Sequence, residues 1–135
     1  MKYTIVLFSF VLLLMSCSKE KTSPDSSIKY FSHYQINSIG DTVFVLHIPN
    51  GFTPNGDGKN DVFKVVYTGV LQSSVLYVYN VSGNLVYTTT DISMEWDGKG
   101  SSGKYLSLGV YNYTIDLSDT AGNKYRIIGD VTWLE

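Results

Sequence analysis

Residues 52–63, FTPNGDGKNDVF, hold an amide and two carboxylates, Asn55, Asp57 and Asp61, at spacings that echo a calcium loop. Oxygen ligands of this kind are what a hard cation takes, with Gly58 for the sharp turn and the Lys59 carbonyl as a further ligand. Calcium on Asn55, Asp57 and Asp61 is one expectation. An EF-hand loop aligned on Asp57-Gly58 would need a bidentate acid where Lys64 stands and a leading carboxylate where Thr53 stands, so the pattern offers a weak site. The competing expectation is a loop that caps itself and requires no cofactor. Asn and Asp side chains bond amides two residues on, Pro54 fixes φ, and Gly56 and Gly58 open conformations closed to other residues.

Other reactive side chains are sparse. His33 and His47 lie near no cysteine, serine elbow or carboxylate in a recognisable motif, so no enzyme is expected and no catalytic residue is assigned. Trp96-Asp97-Gly98 could be a sugar platform, although a tryptophan followed by Asp-Gly more often supplies core and turn. Eleven tyrosines raise the same question of a glycan-binding face. Tyr111 and Tyr113 share a strand face with Ile115 and Leu117, which places them in the core, whereas Tyr77 and Tyr79 lie on a strand apolar on both sides and are assigned to neither face. A net charge of −2 without any Lys/Arg cluster argues against nucleic acid as a partner.

The elements that must position these groups are strands. With 135 residues there is room for one domain, and the glycine and tyrosine content without a 3.6-residue apolar period favours short strands and turns. The chain becomes strand-like from Ile28, and 41–48 is a β-branched and aromatic strand ended by Pro49-Asn50-Gly51. Strands are then expected at 62–67, at 75–80 and 85–89 as a hairpin through Ser82-Gly83, at 94–96, at 109–117, and at 125–133 after the turn at 119–122. About seven strands at this spacing describe an all-β, immunoglobulin-like antiparallel β-sandwich.

The first residues read as an export signal: Met1-Lys2, an apolar stretch 3–15, then Ser16-Cys17. The stretch is too short to span a bilayer comfortably. Cys17 is the only cysteine, so no disulfide within the chain explains it. Leu14-Met15-Ser16-Cys17 resembles the lipobox of bacterial lipoproteins, which implies cleavage after residue 16 and a lipid on Cys17. Residues 17–27 have the composition of a polar tether, and Ser18-Lys19-Glu20 resembles a signal for the outer face of the outer membrane. The resulting organisation is a signal peptide at 1–16, a tether at 17–27, a leading strand region at 28–47 and a sandwich at 48–135. The expected location is the outer membrane, with the membrane held through lipidated Cys17 and the cell surface as one face. Asp41-Thr42-Val43 and Asp119-Thr120-Ala121 also resemble a short O-glycosylation motif of gliding bacteria.

After the opening loop come Tyr79-Asn-Val-Ser-Gly-Asn-Leu-Val-Tyr87, Trp96-Asp-Gly98, Gly109-Val-Tyr-Asn-Tyr113 and Gly129-Asp-Val-Thr-Trp133. In this order they resemble the gliding-motility-associated C-terminal domain, the type B sorting domain of the type IX secretion system. In that family the domain is the C-terminal address of a large exported cargo, whereas here only about 30 residues separate Cys17 from the module. The resemblance implies a non-catalytic, lipid-anchored envelope protein whose sandwich is a structural or interaction module, with an envelope or type IX secretion protein as partner. The alternatives are a working sorting signal on a minimal cargo and a surface glycan-binding lipoprotein. Two departures bear on the sorting reading: Glu135 stands where the family usually closes on a basic residue, and the Asn80-Val-Ser-Gly83 turn lacks the usual arginine and tryptophan.

Overall fold

The computed structural model describes residues 28–36, 42–91 and 93–135. Cys17, the export signal and the tether lie outside the described residues. Among the described residues seven strands have four or more residues: β1 (Tyr30–Ile36), β2 (Thr42–Pro49), β5 (Val66–Gly69), β6 (Leu71–Tyr79), β7 (Leu85–Thr89), β9 (Gly109–Asp119) and β10 (Lys124–Trp133). Three two-residue pieces complete the set, β3 (Gly51–Phe52), β4 (Phe63–Lys64) and β8 (Glu95–Trp96). No helix occurs among the described residues.

The strands form a three-stranded sheet in the order β1-β2-β5, a five-stranded sheet in the order β3-β10-β9-β6-β7, and the small β4-β8 pair. Every pairing is antiparallel except β3 with β10. The expected strand at 62–67 divides, because Phe63 and Val65 turn into the core while Val66 begins pairing with His47 in the other sheet. Gly51, expected only as part of a turn, instead starts the parallel pairing with Thr132.

The two larger sheets face each other across one core. Phe44, Leu46 and Ile48 of β2 meet Leu76, Val78 and Ile115 of the five-stranded sheet, all six of them buried. The Phe44 and Tyr125 rings bridge the sheets edge to face, with centroids 5.1 Å apart. Alternation along β9 buries Tyr111, Tyr113, Ile115 and Leu117, as period-two patterning requires of a strand with one wet face. The same alternation on β6 buries Leu76 and Val78 and turns Tyr77 and Tyr79 outward.

One turn design recurs three times. In residues 80–84, 100–104 and 119–123 the fourth residue is a glycine at φ 80°, 74° and 85°, a left-handed conformation that bulky residues resist. In each turn that glycine's N–H bonds the first residue's carbonyl, at 2.9, 2.9 and 3.1 Å. Asn80 and Asp119 add side-chain caps: each Oδ1 accepts the amides two and four residues on, at 2.9–3.0 Å. The middle turn opens on Gly100 instead, where an added Cβ would stand 3.0 Å from Leu106.

Candidate functional site

The opening loop is held by its ends. Phe52 and Phe63 are both fully buried, so the chain leaves and re-enters the core at two fixed aromatic posts. The buried Thr53 donates its N–H to the Asn60 carbonyl at 2.8 Å and closes the neck. Gly56 and Gly58 adopt φ of 77° and 84°, and Asn60 takes the left-handed region at 51°, a conformation asparagine tolerates better than most residues.

The structure brings Asn55, Asp57 and Asp61 together in this loop, and backbone donors meet all three. Asp61 accepts the Gly56 N–H on Oδ1 at 2.6 Å and the Gly58 N–H on Oδ2 at 2.8 Å. Asn55 Oδ1 accepts from the Asp57 N–H at 3.0 Å, and Asp57 Oδ1 from the Lys59 N–H at 2.8 Å. A ring of amide N–H groups presents the positive ends of its dipoles inward, which suits an anion, and the Asp61 carboxylate fills that position. The loop is therefore capped by its own amide groups, with both oxygens of Asp61 engaged. Among the described residues no three His, Cys, Asp or Glu side chains group as metal ligands would.

The loop is continuous with the end of the chain. Asn50 accepts the Thr132 N–H on its carbonyl and Phe52 accepts the Leu134 N–H, both at 2.9 Å. A Cβ on Gly51 would lie 3.1 Å from the Thr132 carbonyl oxygen and 3.3 Å from Leu134 Cδ1, so the glycine is what lets the last strand approach. Asn50 also exchanges bonds with Lys29, donating its N–H to the Lys29 carbonyl at 2.8 Å and accepting the Lys29 N–H on Oδ1 at 2.7 Å. Asn50 thus ties the start of the described chain, the opening loop and the C-terminal strand into one corner. Sequence reasoning missed this corner, because a two-residue parallel pairing leaves no periodic trace.

Trp96 is core. It is 1% exposed, its Nε1–H donates to the Lys99 carbonyl at 2.8 Å, and its ring meets Phe52, Tyr87 and Tyr111 at centroid distances of 5.2, 6.2 and 5.0 Å. Asp97 turns back to Lys99, accepting its amide and pairing with its ammonium. Gly98, at φ 85°, lies against the Trp133 ring, where a Cβ would come within 3.3 Å. The motif therefore builds the sandwich and presents no free tryptophan face.

His33 is exposed on β1, and His47 on β2 pairs across the strands with Ser32, Oγ to Nδ1 at 3.0 Å. The tyrosines divide by face: Tyr111 and Tyr113 are buried, while Tyr77 and Tyr79 lie outward with ring centroids 6.5 Å apart. Burial is the main cause that raises the Tyr113 hydroxyl to a pKa of about 12, with the Asp130 charge adding to it.

Two packed β-sheets, a self-capped opening loop and a C-terminal strand fastened to that loop define an immunoglobulin-like sandwich module. Residues 46–132 match the CHU_C type IX secretion signal domain, and the chain belongs to that family. No curated protein matches it. Among solved structures it is similar to CopC from Methylosinus trichosporium OB3b, at 17% identity and a TM-score of 0.40, over 54% of this chain and 74% of that one.

Proposed function

We propose that this is a non-catalytic, lipid-anchored protein of the cell envelope, held through Cys17, whose sandwich serves as a structural or interaction module derived from type IX sorting domains. The observation that carries the reading is the family match over residues 46–132, which takes in the five-stranded sheet up to Thr132 together with β5 and the second half of β2, and leaves β1 and the start of β2 as an extension of the same sandwich. In this reading the opening loop is held by its own hydrogen bonds, those of Asp61 to the Gly56 and Gly58 amides foremost. The location follows the anchor: outer membrane, with the module on the cell surface or beneath it. Cys17→Ser tests the anchor, and the expected outcome is loss of membrane fractionation and of globomycin-sensitive processing. Retention in the membrane fraction despite the substitution would sink it.

A second reading, a working sorting signal on a minimal cargo, is favoured by the topology of β10. Its only neighbour beyond β9 is the two-residue β3 at Thr132 and Trp133, so along the rest of β10 the outer edge has no partner strand among the described residues. An unpaired edge is a surface that a receptor strand can add to. Residues 28–135 fused to a signal-peptide-bearing reporter decide between the two; the fusion starts at Ile28 to keep β1 and β2. Release dependent on type IX secretion supports sorting, whereas periplasmic retention leaves the anchored module.

A further inference from the structure

Among the described residues, five of the ten exposed large apolar side chains gather at one end of the sandwich. Antiparallel register places the β6–β7 turn, the start of β9 and the finish of β10 at the same end, since Tyr79 pairs with both Leu85 and Asn112, and Gly109 with Trp133. Val81 is 78% exposed there, Leu108 55%, Leu85 51% and Val110 45%, with Tyr105 at 57% beside them. Val81, Leu108 and Val110 rim a recess of about 290 Å³ floored by Val86 and Leu106. Neither 79–90 nor 105–115 contains a charged residue, and Lys104 stands at the margin. The opposite end, at the 119–123 turn, carries Asp119 and Lys124, with the exposed Val70 beside Leu71, the partner of Asp119.

The described chain also begins at the apolar end. Lys29 is bonded to Asn50, and Ile28 lies beside Gly51, which pairs with Thr132. β3 and β6 are three positions apart in the sheet, so the two features are separated laterally by roughly 15 Å. Eleven residues, 17–27, lie between Cys17 and Ile28 inclusive of the cysteine, and at full extension they reach about 40 Å. A bilayer holding Cys17 is therefore within reach of this end.

We propose that the end formed by the β6–β7 turn and residues 105–110 rests on the bilayer, with Val81, Leu85, Leu108 and Val110 among the upper acyl chains and Tyr105 at the headgroup level. This proposal rests on the membrane reading of Cys17. The occupant is a lipid surface because aliphatic tips, an amphipathic aromatic with the Lys99 ammonium over its ring, and Lys104 at the margin are the composition of an interfacial contact, while the nearby Asp97 carboxylate is paired with Lys99. Asp57, Lys59, Asp61 and Glu135 share this end but lie at the β3–β10 side of the sheet, laterally away from the β6–β7 turn.

The test uses the chain from Cys17 to Glu135, which carries every described strand, and exploits its single cysteine. Coupling Cys17 to a maleimide lipid in phosphatidylcholine and phosphatidylglycerol vesicles supplies the anchor whether or not a cell lipidates it, so this experiment and the Cys17→Ser localisation assay can fail independently. The reference is the same chain coupled to a soluble polyethylene glycol maleimide. Amide hydrogen exchange in 80–86 and 105–110 is expected to slow at least about fivefold on vesicles, with no change at the 119–123 turn. The double variant Val81→Ser, Leu108→Ser is expected to lose that protection while the rest of β9, residues 111–119, keeps its own, which shows that the fold is intact. Ile128→Ser, 70% exposed on the outer sheet face, is expected to change nothing. Equal exchange in the vesicle and polymer samples overturns the proposal, as does protection that survives the double variant.

Discussion

Asp61 joins the two glycines of the opening loop, and its removal separates the self-capped loop from a metal site. Asp61→Ala leaves the Gly56 and Gly58 amides without their acceptor and is expected to cost about 1–2 kcal/mol in urea unfolding, at the low end for charged hydrogen bonds because the loop is exposed. Millimolar calcium is expected to shift neither the melting temperature of the parent protein nor the calorimetric baseline; a saturable calcium heat lost in Asp61→Ala would reverse that. Asp119 makes a second residue-scale case. Its Oδ2 accepts from the Asn123 amide and the Tyr125 hydroxyl, both at 2.8 Å, while Oδ1 caps the turn. The Asn123 side-chain bond leads the causes that hold this carboxyl below the usual range, followed in the same direction by Tyr125 and the turn amides. A group whose folded pKa is depressed stabilises the fold above its unfolded value, and the benefit is lost as pH falls through the folded value. The melting temperature is thus expected to fall more steeply below about pH 4 in the parent than in Asp119→Asn. Ser74 points the other way: its hydroxyl is buried with no hydrogen-bond partner among the described residues, so Ser74→Ala is expected to be neutral or to stabilise by about 1 kcal/mol.

Strands and turns set the next scale. The β6–β7 hairpin, the alternation of β9 and the 119–122 turn were legible in sequence because each rests on a local rule: period-two burial, or glycine where the chain needs positive φ. The division of 62–67 between two sheets was not, since Phe63, Val65 and Val66 are all apolar and only their partners tell them apart. Nor was the role of Gly129, which reads as an ordinary glycine in a strand. Opposite it on β9 lies Tyr113, whose ring crosses β10 so closely that a Cβ at 129 would fall 2.6 Å from Cζ. Gly129→Ala is expected to destabilise by about 1–3 kcal/mol, the range for overpacking, with partial recovery in combination with Tyr113→Phe, because the hydroxyl is only part of the clash. A double-mutant cycle by chemical denaturation measures both terms.

For the whole molecule, stability rests on one core, with Trp96 linking the opening loop, the short β8 and the five-stranded sheet. Trp96→Ala is expected to cost about 3–5 kcal/mol and to lower the unfolding midpoint accordingly. The same variant tests the assignment of the tryptophan to the core: a folded protein of parental stability that lost only a sugar-binding activity would contradict it. By itself the sequence determined the all-β class, the sandwich, most of the longer strands, the ordered opening loop and the family, since all of these follow from local patterning and from motifs in a fixed order. The tertiary structure alone decided that Asn50 and Gly51 clasp the C-terminal strand, that Tyr77 and Tyr79 face outward while Trp96 is buried, and that Val81 and Leu108 meet at the end where Ile28 emerges. Those facts depend on contacts between residues dozens of positions apart, and sequence spacing carries no distance information across a sheet.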